Sequence, residues 1–239
     1  MNFDIHSHLI PKIDDGAKSI DESIKMLQIL KGEGVDNILA TPHFYPDSDN
    51  LEEFLAKRAA GLESVASAAK GGDIPAVFPA CELYYTRSMA DYESLTKLCI
   101  ANTNYILIEL PYGGVSKQVL KDIYNFSSNY NMTPILAHLE RFGLFKGFKD
   151  AVDFVASGYA LAQVNVSSFF DKRQRKYAEG LARKDLISFL GSDLHSPKSE
   201  PMFRKGLTHL EKFYPKTIKR IESANEALYS AILNANPGK

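Results

Sequence analysis

A chain of 239 residues, 45% of them hydrophobic, holds enough apolar material for a full core, and its formal net charge of −1 gives no surplus to hold nucleic acid or an anionic membrane surface. The two cysteines, Cys81 and Cys99, are too few for a disulfide framework. Neither lies in a Gly-rich loop followed by Arg, which argues against a thiol nucleophile. No stretch is apolar and long enough for a bilayer span, and a motif that starts almost at Met1 leaves no room for a signal peptide, so a cytoplasmic location is expected.

The elements alternate. Asn2 to Ile5 reads as a first strand and ends in His6-Ser7-His8; residues two apart on a strand point the same way, so both imidazoles face one spot. Pro11 and the turn Asp14-Asp15-Gly16 come next. Ser19 with Glu22 forms a capping box, and Ile24, Leu27 and Leu30 mark a helix that Gly34 stops. Six further strands are expected over Val35 to Ala40, Ala76 to Ala80, Tyr105 to Ile108, Thr133 to Ala137, Ala160 to Val166 and Leu186 to Gly191. Helices are expected over Leu51 to Ala69, weakly over Ala90 to Leu98, then Val119 to Tyr130, Phe148 to Ser157 and Lys172 to Lys184. Two amphipathic helices, Met202 to Phe213 and Thr217 to Asn234, end the chain. Nothing marks a linker, so one domain over residues 1–239 is expected. Alternating strands and helices imply a parallel sheet, and no Gly-rich dinucleotide fingerprint marks a reversal of strand order. The expected architecture is a closed or nearly closed α/β barrel of seven strands.

The carboxyl ends of these strands carry His6 and His8, His43, Glu82, Glu109, His138, then Asp193 and His195. Five of the six histidines stand there, on the face where α/β barrels gather their catalytic groups. With Asp15 this makes nine candidate donors, too many for one ion and enough for two or three if a carboxylate bridges. Clustered divalent cations bind phosphoryl oxygens and generate hydroxide near neutral pH. His209, in the C-terminal helices, reads as a packing or surface residue. Gln163 and Asn165 either face the site or satisfy barrel polar groups. Tyr84-Tyr85 reads as packing or rim, and Cys81 as a small buried hydrophobe.

The segments His6-Ser7-His8, Asp14-Asp15-Gly16, Thr41-Pro42-His43, Glu82, Ile108-Glu109, Ala137-His138-Leu139-Glu140-Arg141 and Ser192-Asp193-Leu194-His195 resemble the polymerase and histidinol phosphatase (PHP) superfamily, and within it the bacterial CpsB-type capsular and exopolysaccharide tyrosine phosphatases. The resemblance implies a distorted (β/α)7 TIM-like barrel with three divalent ions per chain, manganese or iron favoured and zinc compatible. It assigns His6, His8, Glu82 and Asp193 to a first ion, Glu82, Glu109 and His138 to a second, and Asp15, His43 and His195 to a third. Arg141 would bind the phosphoryl group, with Asp15 beside it in the catalytic set and Glu140 orienting a neighbour. The implied substrate is a phosphotyrosine protein, the tail of a cognate bacterial tyrosine kinase, and self-association is expected by analogy. Some relatives carry basic residues where this chain has Phe44-Tyr45-Pro46-Asp47, and some carry an arginine beyond the His195 position where this chain offers Lys198. Two other functions fit the donors: a small-molecule phosphomonoesterase such as a histidinol phosphatase, and a non-catalytic metal-binding module that docks the kinase tail.

Overall fold

The structure is a computed structural model that describes residues 1–200 and 202–237. Its strands are β1 (Phe3–Ser7), β2 (Asn37–Ala40), β3 (His43–Phe44), β4 (Ala76–Pro79), β5 (Glu82–Tyr84), β6 (Tyr105–Glu109), β7 (Thr133–Leu136), β8 (Leu161–Asn165) and β9 (Ile187–Gly191). Every pairing between them is parallel. Thr41-Pro42 separates β2 from β3, and Ala80-Cys81 separates β4 from β5. Backbone bonds bridge both breaks, from Ala80 N–H to the Ala40 carbonyl at 3.0 Å and from Glu82 N–H to the Pro42 carbonyl at 3.0 Å. The nine segments therefore make seven staves. The barrel closes where Asp193 N–H donates to the His6 carbonyl at 2.8 Å and His8 N–H to the Leu194 carbonyl at 3.0 Å.

The helices are α1 (Ile20–Gly32), α2 (Leu51–Ala68), α3 (Lys117–Asn129), α4 (Phe148–Ala156), α5 (Arg175–Arg183), α6 (Phe203–Phe213) and α7 (Pro215–Ala235). Ser19 caps α1 by accepting the Glu22 N–H at 3.2 Å, while the Glu22 carboxylate takes the Lys18 N–H at 2.8 Å. Met26, Leu27 and Leu30 then face the core. Ala90 to Leu98 forms no α-helix; the connection is three short 3-10 turns, Met89–Asp91, Glu93–Leu98 and Ile100–Asn102. Tyr92, at φ −107° and ψ 79°, leaves the helical region and breaks that segment into separate turns. The helix expected from Lys172 starts at Arg175, because Asp171 Oδ1 accepts the N–H groups of Arg173 and Gln174 at 2.8 and 2.9 Å and holds that stretch as a turn.

One apolar cluster draws on staves all round the barrel: Phe3 and Ile5, Leu39, Ala80, Leu107, Ile135, Ala137 and Phe189, joined by Leu228 and Ile232 of α7. The first strand carries a β-bulge. Its register passes from Asp4 opposite Ile38 to Ser7 opposite Ala40, so Ile5 and His6 together oppose Leu39. A bulge shifts the phase of side-chain alternation and re-aims the side chains beyond it. A second shift lies between Ala162 and Gln163, which pair with Ile187 and Phe189 and leave Ser188 as the extra residue of β9.

Phe189 is fully buried in this cluster, whereas Leu233 of α7 is 48% exposed. Phe189→Ala should lower unfolding stability by about 3–5 kcal/mol, and Leu233→Ala should stay within roughly 0.5 kcal/mol of wild type. Urea denaturation checks this; similar losses in the two variants would contradict the barrel core described.

Candidate metal centre

All nine candidate donors meet at the carboxyl ends of the staves. His6 lies inside β1, turned by the bulge, and its Nε2 comes to 3.1 Å from Nε2 of His8. Glu82 opens β5 and occupies the centre. Its Oε2 is 3.0 Å from His6 Nε2, 3.3 Å from His8 Nε2 and 3.0 Å from His43 Nδ1, and its Oε1 is 2.9 Å from His138 Nε2. Glu109 ends β6, with Oε1 3.5 Å from His138 Nε2. Asp193 Oδ1 lies 3.6, 3.5 and 3.4 Å from His6 Nε2, His8 Nε2 and His195 Nδ1. Asp15 Oδ1 stands further out, 3.6 Å from His43 Nε2 and 3.4 Å from His195 Nε2.

Backbone strain sets two of these groups. His138 and Asp193 adopt φ of 30° and 52°, a region that non-glycine residues rarely occupy and that is retained where surroundings enforce it. The Asp14-Asp15-Gly16 turn folds back onto His8: Ala17 N–H donates to the His8 carbonyl at 3.0 Å. A Cβ on Gly16 would stand 2.1 Å from that carbonyl oxygen, so only glycine fits. The turn's two acids divide. Asp14 points behind the site, where its carboxylate takes His8 Nδ1 at 2.8 Å, the His43 N–H at 3.1 Å and the Gly16 N–H at 2.9 Å. Asp15 points forward.

Gln163 and Asn165 of β8 face the site. Gln163 Oε1 accepts the His138 N–H at 2.7 Å and His6 Nδ1–H at 3.1 Å. With Nδ1 of His6 donating to Gln163 and Nδ1 of His8 donating to Asp14, both Nε2 lone pairs turn to Glu82 and Asp193. Gln163 Nε2 donates to Asn165 Oδ1 at 2.8 Å, and Asn165 Nδ2 to Asp193 Oδ2 at 2.9 Å. The Arg141 guanidinium donates to the same Asp193 oxygen. Glu140 is fully buried and orients neighbours, accepting the Asn165 N–H at 3.1 Å and the Ser168 hydroxyl at 2.6 Å. Lys198 is exposed beyond His195, its N–H on Ser196 Oγ at 3.2 Å, and it forms no ion pair among the described residues. His209 lies apart from the site and packs among Phe169, Phe170, Phe213 and Tyr214.

Burial opposes charge throughout, yet the neighbouring His6 and the hydrogen bond from His138 hold the Glu82 carboxyl well below the usual range. Asp193 is held low against its burial by His6, His8 and Arg141. Glu109 is pushed up, by burial and then by the Glu82 charge. Among buried polar atoms, Glu82 Oε2, Glu109 Oε2 and His43 Nδ1 have no hydrogen-bond partner. Lone pairs that converge without hydrogens between them are satisfied by cations, and mixed imidazole and carboxylate donors suit divalent transition metals. Four groups of donors have ligand atoms within 4.8 Å of one another: His8, Asp15, His43 and His195; His6, His8 and Asp193; His6, Glu82 and His138; His43, Glu82 and Glu109.

Sequence reasoning missed Asp4, whose Oδ1 accepts the Ser192 N–H at 2.8 Å and steadies the segment before Asp193; burial pushes its carboxyl up to about 6. An acid within an apolar strand was the available signal. It also missed Asp14 as an orienting group and Tyr112, whose hydroxyl donates to Glu109 Oε1 at 2.7 Å.

Residues 2–229 match the family described as capsular polysaccharide synthesis, CpsB/CapC. The tyrosine-protein phosphatase CpsB of Streptococcus agalactiae is 29% identical over 213 residues, 84% of this chain and 85% of that protein. The tyrosine-protein phosphatase YwqE of Bacillus subtilis is 27% identical over 231 residues, 94% of this chain and 90% of that protein. Crystal structures described as YwqE from Bacillus subtilis and CpsB from Streptococcus pneumoniae, metal-dependent tyrosine phosphatases, include a chain that superposes with a TM-score of 0.81 at 25% identity, covering 97% of this chain and 94% of that one. Histidinol phosphate phosphatase from Lactococcus lactis shares the fold, with a TM-score of 0.56 at 13% identity over 93% of each chain. No helix among the described residues is long and apolar enough to cross a membrane. The chain belongs to the CpsB/CapC capsular polysaccharide synthesis family, and the relatives named here are tyrosine-protein phosphatases.

Proposed function

We propose that this chain is a metal-dependent protein-tyrosine phosphatase with three divalent ions, and the observation that carries the proposal is the nine-donor cluster centred on Glu82 with Arg141 at its edge. His6, His8, Glu82 and Asp193 would hold the first ion, Glu82, Glu109 and His138 the second, and Asp15, His43 and His195 the third. Manganese or iron suits this donor set best, and zinc is compatible. When bound, the cations supply charge for phosphoryl oxygens and acidify a water.

The chain's own residues do the rest. Gln163 and Asp14 fix the tautomers of His6 and His8. Asp193 anchors Arg141, whose side chain remains 38% exposed and keeps donors for a phosphoryl oxygen. The phenolate of tyrosine, with a pKa of about 10, leaves more readily than an alkoxide and needs less help from an acid. The substrate we favour is a phosphotyrosine protein such as a cognate bacterial tyrosine kinase of capsule synthesis, met in the cytoplasm, with the enzyme self-associated. Lys198, exposed on the loop after His195, is the residue we assign to contact the same protein substrate.

Manganese-loaded protein should hydrolyse a phosphotyrosine peptide in preference to histidinol phosphate, and strong chelation should abolish turnover. Cys81→Ser and Cys99→Ser should keep most of it. Both thiols are buried, Cys81 is raised well above its ordinary pKa and Cys99 to about 12, so neither is an available thiolate. Turnover that survives in metal-free protein, or faster turnover of histidinol phosphate, would overturn the proposal.

Arg141→Ala should cost about 2–4 kcal/mol of transition-state stabilisation, by analogy with loss of one oxyanion donor. Arg141→Lys should recover part of this. Bound metal should persist, because Asp193 keeps its bond from Asn165 at 2.9 Å. The check is kcat/KM on the peptide with metal analysis of the same samples; near-wild-type kcat/KM would remove Arg141 from the reaction.

A further inference from the structure

A line of aromatic rings borders one edge of the cluster. Tyr45 lies beside His43, with ring centroids 5.5 Å apart, and beside Tyr84, also at 5.5 Å. Tyr84 stacks on Tyr112 at 6.3 Å and 26°, and Tyr112 on Phe142 at 6.5 Å and 30°. Phe142 in turn stacks against His138 at 6.0 Å and 18°. The arc thus begins at one donor imidazole and ends at another. Tyr85, by contrast, turns away, its hydroxyl on Asp122 at 2.6 Å.

Tyr45 and Tyr112 are held in place but not covered, while Phe142 is buried. Tyr112 is 64% exposed and Tyr45 40% exposed. The Tyr112 hydroxyl is fixed on Glu109, and its N–H reaches the Tyr84 hydroxyl at 3.4 Å. The loop behind it is pinned as well: Gly113 and Gly114 take φ of 104° and 128°, and Val115 N–H donates to the Lys146 carbonyl at 2.8 Å. That bond joins the Tyr112 loop to the segment just after the 3-10 turn that carries Arg141. An exposed ring ordered in advance has already lost the freedom that binding would cost.

We propose that the exposed part of this arc is an aryl subsite: Tyr112, beside Tyr84 and stacked with the buried Phe142, stacks the ring of an aryl phosphomonoester whose phosphoryl group sits on the donor cluster. The proposal rests on the phosphatase function above and assigns its substrate selection to a residue. In an aryl phosphate the ring is bonded directly to the ester oxygen, so it must lie at the rim of the cluster, where the arc stands. Offset stacking at centroid separations of about 4.5–7 Å suits such a ring, and an alkyl phosphate has nothing to place there.

Titration calorimetry of manganese-loaded protein with phenylphosphonate and ethylphosphonate tests the subsite without turnover. Wild type should bind the phenyl compound roughly tenfold more tightly, the scale of one aromatic pair with its buried area. Tyr112→Ala should lose most of that ratio, and Tyr112→Phe, which gives up only the bond to Glu109, should keep it. In parallel, the ratio of kcat/KM for phosphotyrosine over phosphoserine peptides should fall roughly tenfold in Tyr112→Ala. No preference in wild type, or equal weakening of both phosphonates in Tyr112→Ala, overturns the subsite. A preserved binding preference in a protein that hydrolyses neither peptide supports the subsite and overturns the phosphatase function instead.

Discussion

Glu82 is 1% exposed, and its two carboxylate oxygens lie no more than 3.3 Å from nitrogens of four histidines, His6, His8, His43 and His138. A buried carboxylate is costly unless charge or hydrogen bonds compensate it. Here Oε2 is close to three imidazoles yet forms no hydrogen bond. The donors around it are held from behind by Gln163, Asp14 and Asn165, so their lone pairs cannot rotate away to other partners. The rest of the site is arranged to keep this one carboxylate ionised and surrounded.

That arrangement requires an irregular barrel. A regular β1 would turn His6 away from the interior, and the bulge opposite Leu39 turns it inward. Asp193 and His138 accept left-handed backbone so that their side chains reach Glu82 and its neighbours. Gly191 lies where a Cβ would stand 2.6 Å from both Gln163 Nε2 and His6 Cβ, which keeps the β8 and β9 staves close behind the cluster. The strain is local, and the apolar cluster of Phe3, Leu39, Leu107, Ile135 and Phe189 packs among the same staves.

Much of this was legible in the chain because parallel staves share a carboxyl end, so polar residues that close apolar runs must meet. His43, Glu82, Glu109 and His138 were found that way, and the histidine pair by its spacing. The bulge was not legible, since Asn2 to Ser7 carries no glycine or proline to mark it. Gln163 and Asn165 stayed undecided because alternation gives their side of β8 and not what stands there. Asp14 and Asp15 are chemically equivalent in sequence; only the fold of the turn sends one behind the site and one in front. The Ala90 to Leu98 segment has helical composition, and nothing in it marks the non-helical Tyr92 that splits it into short turns. Tyr112 sits in a Pro-Tyr-Gly-Gly loop whose return path depends on the bond between Val115 and Lys146.

The central claim is that Glu82 is the donor the cations share. Metal analysis of Glu82→Gln beside wild type tests it most directly, with far-UV circular dichroism as the control for folding. Glutamine keeps the shape and removes the charge, so the account predicts that more than one ion per chain is lost together from a protein that remains folded. A folded Glu82→Gln protein with the full wild-type complement of metal would contradict it.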